Sequence, residues 1–174
     1  MVNASLSRAN VRVRPIRFDD RAELARFYAR LSAESRYARF HAVSNGIGAR
    51  AVDLFCGPDH EHREGFVAEA IDGEQGGHVI VGHVCLEPGE SGLEMAIAVA
   101  DDWQRRGVGR SLLRAAVDWA VVHEIARLEA SMLSTNSALL GLVRSLDCPI
   151  RLSTPSAGIA GVTIDIAAAA PKAA

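Results

Sequence analysis

The spacing of apolar residues in the amino-terminal third of the chain predicts one strand followed by helices. Residues 11–16 alternate apolar with polar positions, as a half-buried strand does. The acidic pair at 19–20 offers a helix N-cap, and apolar side chains recur at helical spacing over residues 24–31. Two more short helices are predicted at residues 33–41 and 47–57.

The middle of the chain changes to strand patterning. Residues 65–72, 78–87 and 93–100 are rich in apolar residues, and glycine-rich turn sequences separate them. Short connections of this kind join antiparallel neighbours, so the three segments predict a meander.

The carboxy-terminal part returns to a mixture of helix and strand. An apolar stripe over residues 108–124 predicts the longest helix, packed on a sheet. Residues 126–133 are patterned as a strand, and a strand, helix, strand passage usually gives parallel neighbours. A second helix at 136–146 and a hairpin turned at 156–158 complete the predicted elements.

Length and composition fit one globular domain. The 174 residues are too few for two domains of ordinary size, and 49% apolar with 23% charged residues is typical of a packed protein. We expect the domain to span residues 11–167, with flexible ends at 1–10 and 168–174. The chain shows no secretory signal and no apolar run near the roughly 18 residues of a membrane helix, so the cytoplasm is the expected location.

Charge and cysteine content narrow the range of partners. A net charge of −2 gives no electrostatic reason to expect nucleic acid or an anionic membrane. Cys56, Cys85 and Cys148 lie far apart without metal-ligand spacing, and we interpret them as reduced core residues. His60 and His62 alone are too few ligands for a metal centre, so no metal is expected.

Residues 104–109, Gln-Arg-Arg-Gly-Val-Gly, stand where the longest predicted helix begins. A helix N-terminus presents free backbone N–H groups and partial positive charge, which bind anions. The two glycines would let the backbone approach a phosphate and adopt positive φ, and Arg105, Arg106 and Arg110 would add three cations. The loop fits neither the Walker A nor the Rossmann pattern. Its chemistry alone leaves two interpretations, a diphosphate site or a solvated helix start.

The stretch around this loop, AVADDWQRRGVGRSLL, resembles the acyl-CoA binding motif of the GNAT (Gcn5-related N-acetyltransferase) superfamily. In that family Gln or Arg, two variable residues, Gly, a variable residue and Gly or Ala wrap the pyrophosphate of coenzyme A. The matching positions here are Gln104, Arg105, Arg106, Gly107, Val108 and Gly109. The resemblance implies an α/β GNAT fold, with a mixed, mostly antiparallel sheet that is flanked by helices and splayed at the acyl-CoA site.

The first part of the chain is similar to the GNAT domain of bacterial Pat-type protein lysine acetyltransferases. In those proteins a string like LSxESxYxRF follows the first helix, and residues 31–40 match it. This implies acetyl-CoA as cosubstrate, a protein lysine as acceptor and an acyl-CoA synthetase as the first candidate partner. We expect Arg36 and Arg39 on a wall of the acceptor groove, where they would pair with acidic residues that flank the target lysine.

The resemblance also implies roles for individual residues. An ammonium with a pKa of about 10.4 needs a general base, and Glu94 takes the place of the family's catalytic glutamate. Its apolar neighbours favour this role over that of a polar residue in an alternating strand. The backbone of Ile97, Ala98 and Val99 resembles the segment that pairs with pantetheine and polarises the thioester carbonyl. Asn136 matches an asparagine that contacts the pantetheine arm, although a helix cap explains it equally well.

One feature of the family is missing. Aligned from Asn136, Val143 stands where many GNATs carry a tyrosine that protonates the leaving thiolate. A thiolate with a pKa of about 8.5 leaves without a strong acid, so solvent is expected to supply the proton. Two other functions stay open. One is acetylation of a small-molecule amine, and the other is a non-catalytic acyl-CoA sensing or interaction module, against which Glu94 counts.

Overall fold

A computed structural model describes residues 11–71, 77–89 and 92–167. The ends predicted to be flexible, 1–10 and 168–174, lie outside the described residues, as do parts of two predicted turns. The strands are β1 (Val11–Pro15), β2 (Glu64–Ile71), β3 (His78–Pro88), β4 (Leu93–Val99), β5 (Arg127–Leu133), β6 (Ile150–Leu152) and β7 (Ile159–Asp165). The helices are α1 (Arg21–Arg30), α2 (Ala33–Phe40), α3 (Ala49–Phe55), α4 (Val108–Val122) and α5 (Ser137–Arg144).

The strands form one seven-stranded sheet in the order β1-β2-β3-β4-β5-β7-β6. Every neighbouring pair is antiparallel except β4 and β5, which are parallel. The predicted mixed, mostly antiparallel sheet is therefore confirmed. No helix in the described ranges is long and apolar enough to cross a membrane.

The sheet opens between β4 and β5. These strands have seven residues each, yet only Leu93 with Leu128 and Glu94 with Glu129 are paired. The strands separate after Glu94, and the edge of β4 from that point on lacks a strand partner on its β5 side. This splay creates the space for a ligand inside the sheet.

One face of the sheet packs against α4 and is apolar throughout. The helix buries Val108, Leu112, Leu113, Ala116, Val117 and Ala120. Gly82 of β3 allows the close approach, because a Cβ there would lie 2.8 Å from Cδ1 of Leu112. Burying a leucine side chain contributes about 1.5–3 kcal/mol, so this stripe is a main source of stability.

The opposite face packs against α1, α2 and α3 and contains buried polar groups. His83 of β3 is fully buried, and its Nδ1 lies 2.9 Å from the hydroxyl of Tyr28 in α1. Burial, with a smaller contribution from Arg39, lowers the pKa of His83 to about 3, so the ring is neutral at pH 7. Phe55 of α3 completes the ring cluster around it.

Candidate active site

A cleft of about 760 Å³ occupies the opening between β4 and β5. The loop before α4 forms one end, α2 forms one wall, and α5 with the end of β5 forms the other wall. Nine of the residues expected to bind the cosubstrate line this cleft, namely Ile97, Ala98, Val99, Gln104, Arg105, Gly107, Gly109, Arg110 and Asn136. The volume suits the arm of a coenzyme, since ligand sites typically measure about 300–1,000 Å³.

The loop before α4 uses one glycine for its conformation. Gly107 has φ +89°, a left-handed value that residues with a Cβ rarely adopt. The first α-helical hydrogen bond of α4 runs from the N–H of Ser111 to the carbonyl of Gly107, at 3.0 Å. The N–H groups of Val108, Gly109 and Arg110 therefore have no acceptor within the helix and are available to an anion.

Gly109 serves another purpose than the one expected. Its backbone is helical, so the prediction of positive φ is wrong for this glycine. A Cβ at Gly109 would lie 3.0 Å from Cδ2 of Leu142 in α5. The residue is small because α4 and α5 approach each other here.

Only some of the side chains in this loop line the cleft. Arg105 and Arg110 line the cleft. The guanidinium of Arg106 lies 5.4 Å from the ring centroid of Trp103, and Arg106 is outside the lining. The side chain of Val108 is buried in the core, which leaves only its backbone N–H to the site.

A hydrogen-bond network joins the loop to α2. The carboxylate of Asp101 accepts hydrogen bonds from the N–H and Oγ of Ser32, at 2.9 and 2.7 Å, and from Oγ of Ser35 at 2.7 Å. Nε2 of Gln104 donates to Oγ of Ser35 and to the carbonyl of Val99, both at 3.2 Å. Partial burial acts to raise the pKa of Asp101, but the hydrogen bonds from the serines outweigh it and lower this pKa. Sequence reasoning missed the network, although Ser32 and Ser35 belong to the quoted Pat-like string.

The backbone of β4 presents its free edge to the cleft. The N–H of Ala100 donates to Val81 of β3 at 2.9 Å, and strand residues alternate in the direction of their polar groups. The N–H and carbonyl of Ile97 therefore point toward the opening, as does the carbonyl of Val99 that Gln104 contacts. Ala98 instead directs its backbone groups toward β3 and lines the cleft without offering them.

Glu94 lies at the point where β4 and β5 separate. It is exposed and stands directly opposite Glu87 of β3 and Glu129 of β5 in the sheet register. It precedes Ile97 by three residues, about 10 Å along the strand, and is outside the cleft lining.

The apolar isolation of Glu94 that its sequence neighbours indicated is wrong. Leu93 and Met95 point to the α4 face, whereas Glu94 points to the other face with two more carboxylates. Burial raises the pKa of Glu87, and Arg63, whose Nε lies 2.8 Å from Oε2 of Glu87, partly offsets this effect.

Helix α5 begins at a cap that also faces the cleft. Oδ1 of Asn136 accepts a hydrogen bond from the N–H of Leu139 at 3.0 Å, so the expected helix cap is present. Asn136 also lines the cleft, as a contact with the pantetheine arm requires. Val143 is fully buried in the core and does not line the cleft.

The arginines of α2 do not form the exposed wall that was expected. Nε of Arg36 donates to the carbonyl of Ser44 at 2.7 Å, and Nη1 bonds the carbonyl of Leu31. Arg36 thus holds the chain on both sides of α2. Arg39 points inward, and its Nη2 donates to Sγ of Cys85 at 3.4 Å. The expected exposed position is wrong for both residues, because Arg36 bonds backbone carbonyls and Arg39 points into the cleft.

The histidines of the loop before β2 contact carboxylates. Nδ1 of His60 lies 3.0 Å from Glu64, and Nδ1 of His62 lies 3.7 Å from Asp59. Among the described residues, no three or more His, Cys, Asp or Glu side chains are grouped so that they could hold a metal ion. All three cysteines are free, and Cys56 and Cys85 are buried.

Comparison with known proteins identifies the family. Residues 39–146, more than half of the chain, match the Acetyltransferase (GNAT) family. The chain belongs to the GNAT acetyltransferase family. It is therefore an acyltransferase, and acetyl-CoA is the cosubstrate that the family uses.

Individual relatives agree with this family. The GNAT domain of S. lividans PAT is 27% identical, with a TM-score of 0.76 over 89% of this chain and 90% of that one. Acetyltransferase PA5475 of Pseudomonas aeruginosa is 28% identical over 81% of this chain and 74% of its own. The fold is also similar to that of yncA from Salmonella typhimurium, solved with its cofactor acetyl-CoA, at a TM-score of 0.67 and 17% identity over 88% of this chain and 91% of that one. The predicted similarity to the GNAT domain of Pat-type proteins is confirmed.

Proposed function

We propose that this acetyltransferase acts in the cytoplasm and transfers acetyl from acetyl-CoA to the side-chain amine of a protein lysine. The observation that carries the proposal is the continuous cleft. It runs from the free amides at the start of α4 past the free edge of β4 to Ile97, and Glu94 lies about 10 Å farther along the same strand. A pyrophosphate, a thioester and a general base need these three kinds of group in this order.

The two phosphates of coenzyme A are anionic and suit the loop end. The amides of Val108, Gly109 and Arg110 have no acceptor within α4, and the side chains of Arg105 and Arg110 line the same part of the cleft. Amides and guanidinium groups together form the charge-assisted hydrogen bonds that phosphate oxygens accept.

The thioester lies along β4 in this proposal. The N–H of Ile97 is directed toward the opening and polarises the thioester carbonyl, because it is fixed before the reaction begins. The lysine nitrogen forms a bond to the acetyl carbon, and the bond between that carbon and sulfur breaks. Coenzyme A leaves as the thiolate and takes a proton from solvent, since the position aligned with the family's tyrosine is the buried Val143.

Glu94 removes the proton from the attacking ammonium. Its distance of about 10 Å from Ile97 along the strand leaves room for water to relay the proton from the amine to the carboxylate. Glu87 and Glu129 stand beside it in the sheet, and Arg63 pairs with Glu87, so Glu94 is the exposed carboxylate that faces the acceptor in this proposal.

A lysine on a protein is favoured among cationic acceptors by the similarity to the GNAT domain of S. lividans PAT, which covers 89% of the chain. An acyl-CoA synthetase is the first candidate for that protein. Glu94 is exposed and is equally accessible to a small amine, which makes acetylation of a small-molecule amine the second candidate function.

The deciding experiment offers both kinds of acceptor to one preparation of the enzyme. The purified protein and labelled acetyl-CoA are incubated with a lysate of the source organism, and modified lysines are mapped by mass spectrometry. A parallel assay follows thiol release with spermidine and an aminoglycoside. Reactions without enzyme measure the label that arises without catalysis.

We expect label on a small set of proteins that depends on the wild-type enzyme. Fast turnover of a small amine without protein label would contradict the protein-lysine assignment. Tight acetyl-CoA binding without turnover of any amine would instead identify a sensing module.

A further inference from the structure

The wall that α2 contributes to the cleft contains a partly buried arginine that points inward. Arg39 lies in the last turn of α2 and lines the cleft. Its guanidinium carbon lies 4.9 Å from the ring centroid of Phe40 and 5.7 Å from that of Phe55. Nη2 contacts the thiol of Cys85, and Nε is buried without a hydrogen-bond partner in the described part of the chain.

The charge of Arg39 is not balanced by the groups around it. No carboxylate among the described residues pairs with it, and its polar neighbours are the Cys85 thiol and the Tyr28 hydroxyl. Burial raises the pKa of both neighbours, so both are uncharged at pH 7. A guanidinium keeps its proton in proteins, and burying it without a counter-charge is costly.

Arg14 shows how this chain satisfies another arginine of low exposure. Nη1 and Nη2 of Arg14 each donate to the carboxylate of Asp20 at 2.7 Å, and Nη2 also bonds Glu69. This is the bidentate geometry that a planar guanidinium favours. Arg39 has the same hydrogen-bonding capacity and lacks such a partner.

Arg39 lies close to the groups that are proposed to react. Cys85 is paired with Ala96 of β4 in the sheet register. Ala96 precedes Ile97 by one residue and follows Glu94 by two residues, on the face that carries Glu94. The guanidinium therefore stands between the proposed thioester site and the proposed base, where the acyl group meets the acceptor.

We propose that Arg39 binds a carboxylate carried by one of the two substrates. The inference rests on the proposed function, because that function places the acyl group and the amine beside Ala96. Two sources supply this chemistry. The acyl group of the donor can end in a carboxylate, as in succinyl-CoA, or the acceptor can carry a carboxylate near its amine. The bound carboxylate balances the charge of Arg39, as Asp20 does for Arg14.

The donor arm of the test measures binding in the absence of any acceptor. Calorimetry compares succinyl-CoA with butyryl-CoA, which has the same number of acyl carbons and no charge. A charged hydrogen bond corresponds to a preference of about 10-fold or more for succinyl-CoA. The Arg39→Gln variant should lose that preference, and Arg39→Lys should keep part of it because it retains the charge without the planar fork.

The acceptor arm measures KM with acetyl-CoA as donor. It compares lysine with cadaverine, which is the same diamine chain without the carboxylate. A preference for lysine that Arg39→Gln abolishes places the carboxylate on the acceptor, and a preference seen only in the donor arm places it on the acyl group. Each preference is a ratio within one protein, so a general loss of stability in a variant does not produce or remove it.

Two results separate this inference from the proposed function. Equal affinities for succinyl-CoA and butyryl-CoA, together with equal KM values for lysine and cadaverine, would overturn the role of Arg39 alone. So would a preference that persists in Arg39→Gln. Failure of every acyl-CoA to bind would contradict the proposed function and this inference with it.

Discussion

The two ends of the cleft are built from different parts of the chain. At the loop end the candidate binding groups are backbone amides of consecutive residues, and Gly107 sets the conformation that exposes them. At the other end the groups are side chains from separate elements. Arg39 and Cys85 meet there although 46 residues separate them, and Glu94 faces Glu87 across two strands. Local sequence therefore determines the first end, and strand register determines the second.

The two ends also differ in how they respond to substitution and pH. Backbone amides keep their positions and have no titratable proton near neutral pH, so the loop end is changed mainly by altering its conformation or charge. The other end depends on ionisable and buried side chains. Substitutions at the loop should act on cosubstrate binding, and those at the other end should act on turnover and pH dependence.

The largest effect is expected from Gly107→Glu at the loop end. The change places a carboxylate beside the pyrophosphate and forces a residue with a Cβ into a backbone of φ +89°. We expect acetyl-CoA affinity to fall at least 100-fold, which corresponds to about 2.7 kcal/mol, as measured by calorimetry.

Two variants control this measurement. Gly107→Ala imposes the backbone strain without the charge and should weaken binding much less than glutamate does. Gly48→Glu adds the same side chain at an exposed position where a Cβ meets no atom within 4 Å, and it should bind acetyl-CoA like the wild type. An affinity within about threefold of the wild type for Gly107→Glu would show that the loop does not hold the pyrophosphate.

The second effect is expected from Glu94→Gln at the other end. Loss of a general base lowers turnover by about 10²-fold or more, whereas acetyl-CoA affinity should stay nearly constant. Steady-state kinetics and calorimetry on the same preparation separate the two quantities. Glu61→Gln removes an exposed carboxylate from a loop outside the cleft and serves as the matched control.

Turnover at neutral pH is the deciding readout for Glu94. Equal turnover of wild type and variant at neutral pH would show that another residue is the general base.

A smaller effect is expected where α2 meets the loop. Ser35→Ala removes the hydrogen bond to Asp101 and the one from Gln104. Because such bonds contribute about 1 kcal/mol each and these are partly exposed, acetyl-CoA affinity should fall about 3- to 10-fold. Ser131→Ala, an exposed serine on β5 outside the cleft lining, is the control. An unchanged affinity would show that α2 does not hold the loop in its binding conformation.

The loop end of the cleft could be predicted from the sequence better than the other end. Periodicity and turn residues predicted the order of the elements, and the loop motif was readable because its six residues are consecutive. The inward direction of Arg39 was not readable, since it depends on packing against β3. The carboxylates around Glu94 come from two other strands, so its sequence neighbours, Leu93 and Met95, gave the wrong surroundings. The left-handed φ of Gly107 followed from the motif, whereas the packing reason for Gly109 required α5.

The last expected effect concerns the stability of the polar face beneath α1 and α3. His83 has a pKa of about 3 in the folded protein, because burial opposes its charged form, against an ordinary value of 6.5. Between pH 6.5 and 3 the unfolded chain binds this proton more tightly than the folded protein, so stability falls as pH falls through that window. From pH 7.5 to 5.5 this single group should remove about 1.4 kcal/mol from the free energy of unfolding.

Urea unfolding of wild type and His83→Asn at both pH values tests this contribution. Asparagine keeps a polar group near the Tyr28 hydroxyl and does not titrate, so the variant should lose less stability than the wild type on acidification, whatever its stability at pH 7.5. The comparison is made between differences, which removes the effect of the other ionisable groups. Equal losses in the two proteins would mean that His83 is protonated without cost in the folded state. The polar face would then respond to pH no more than the amides of the loop.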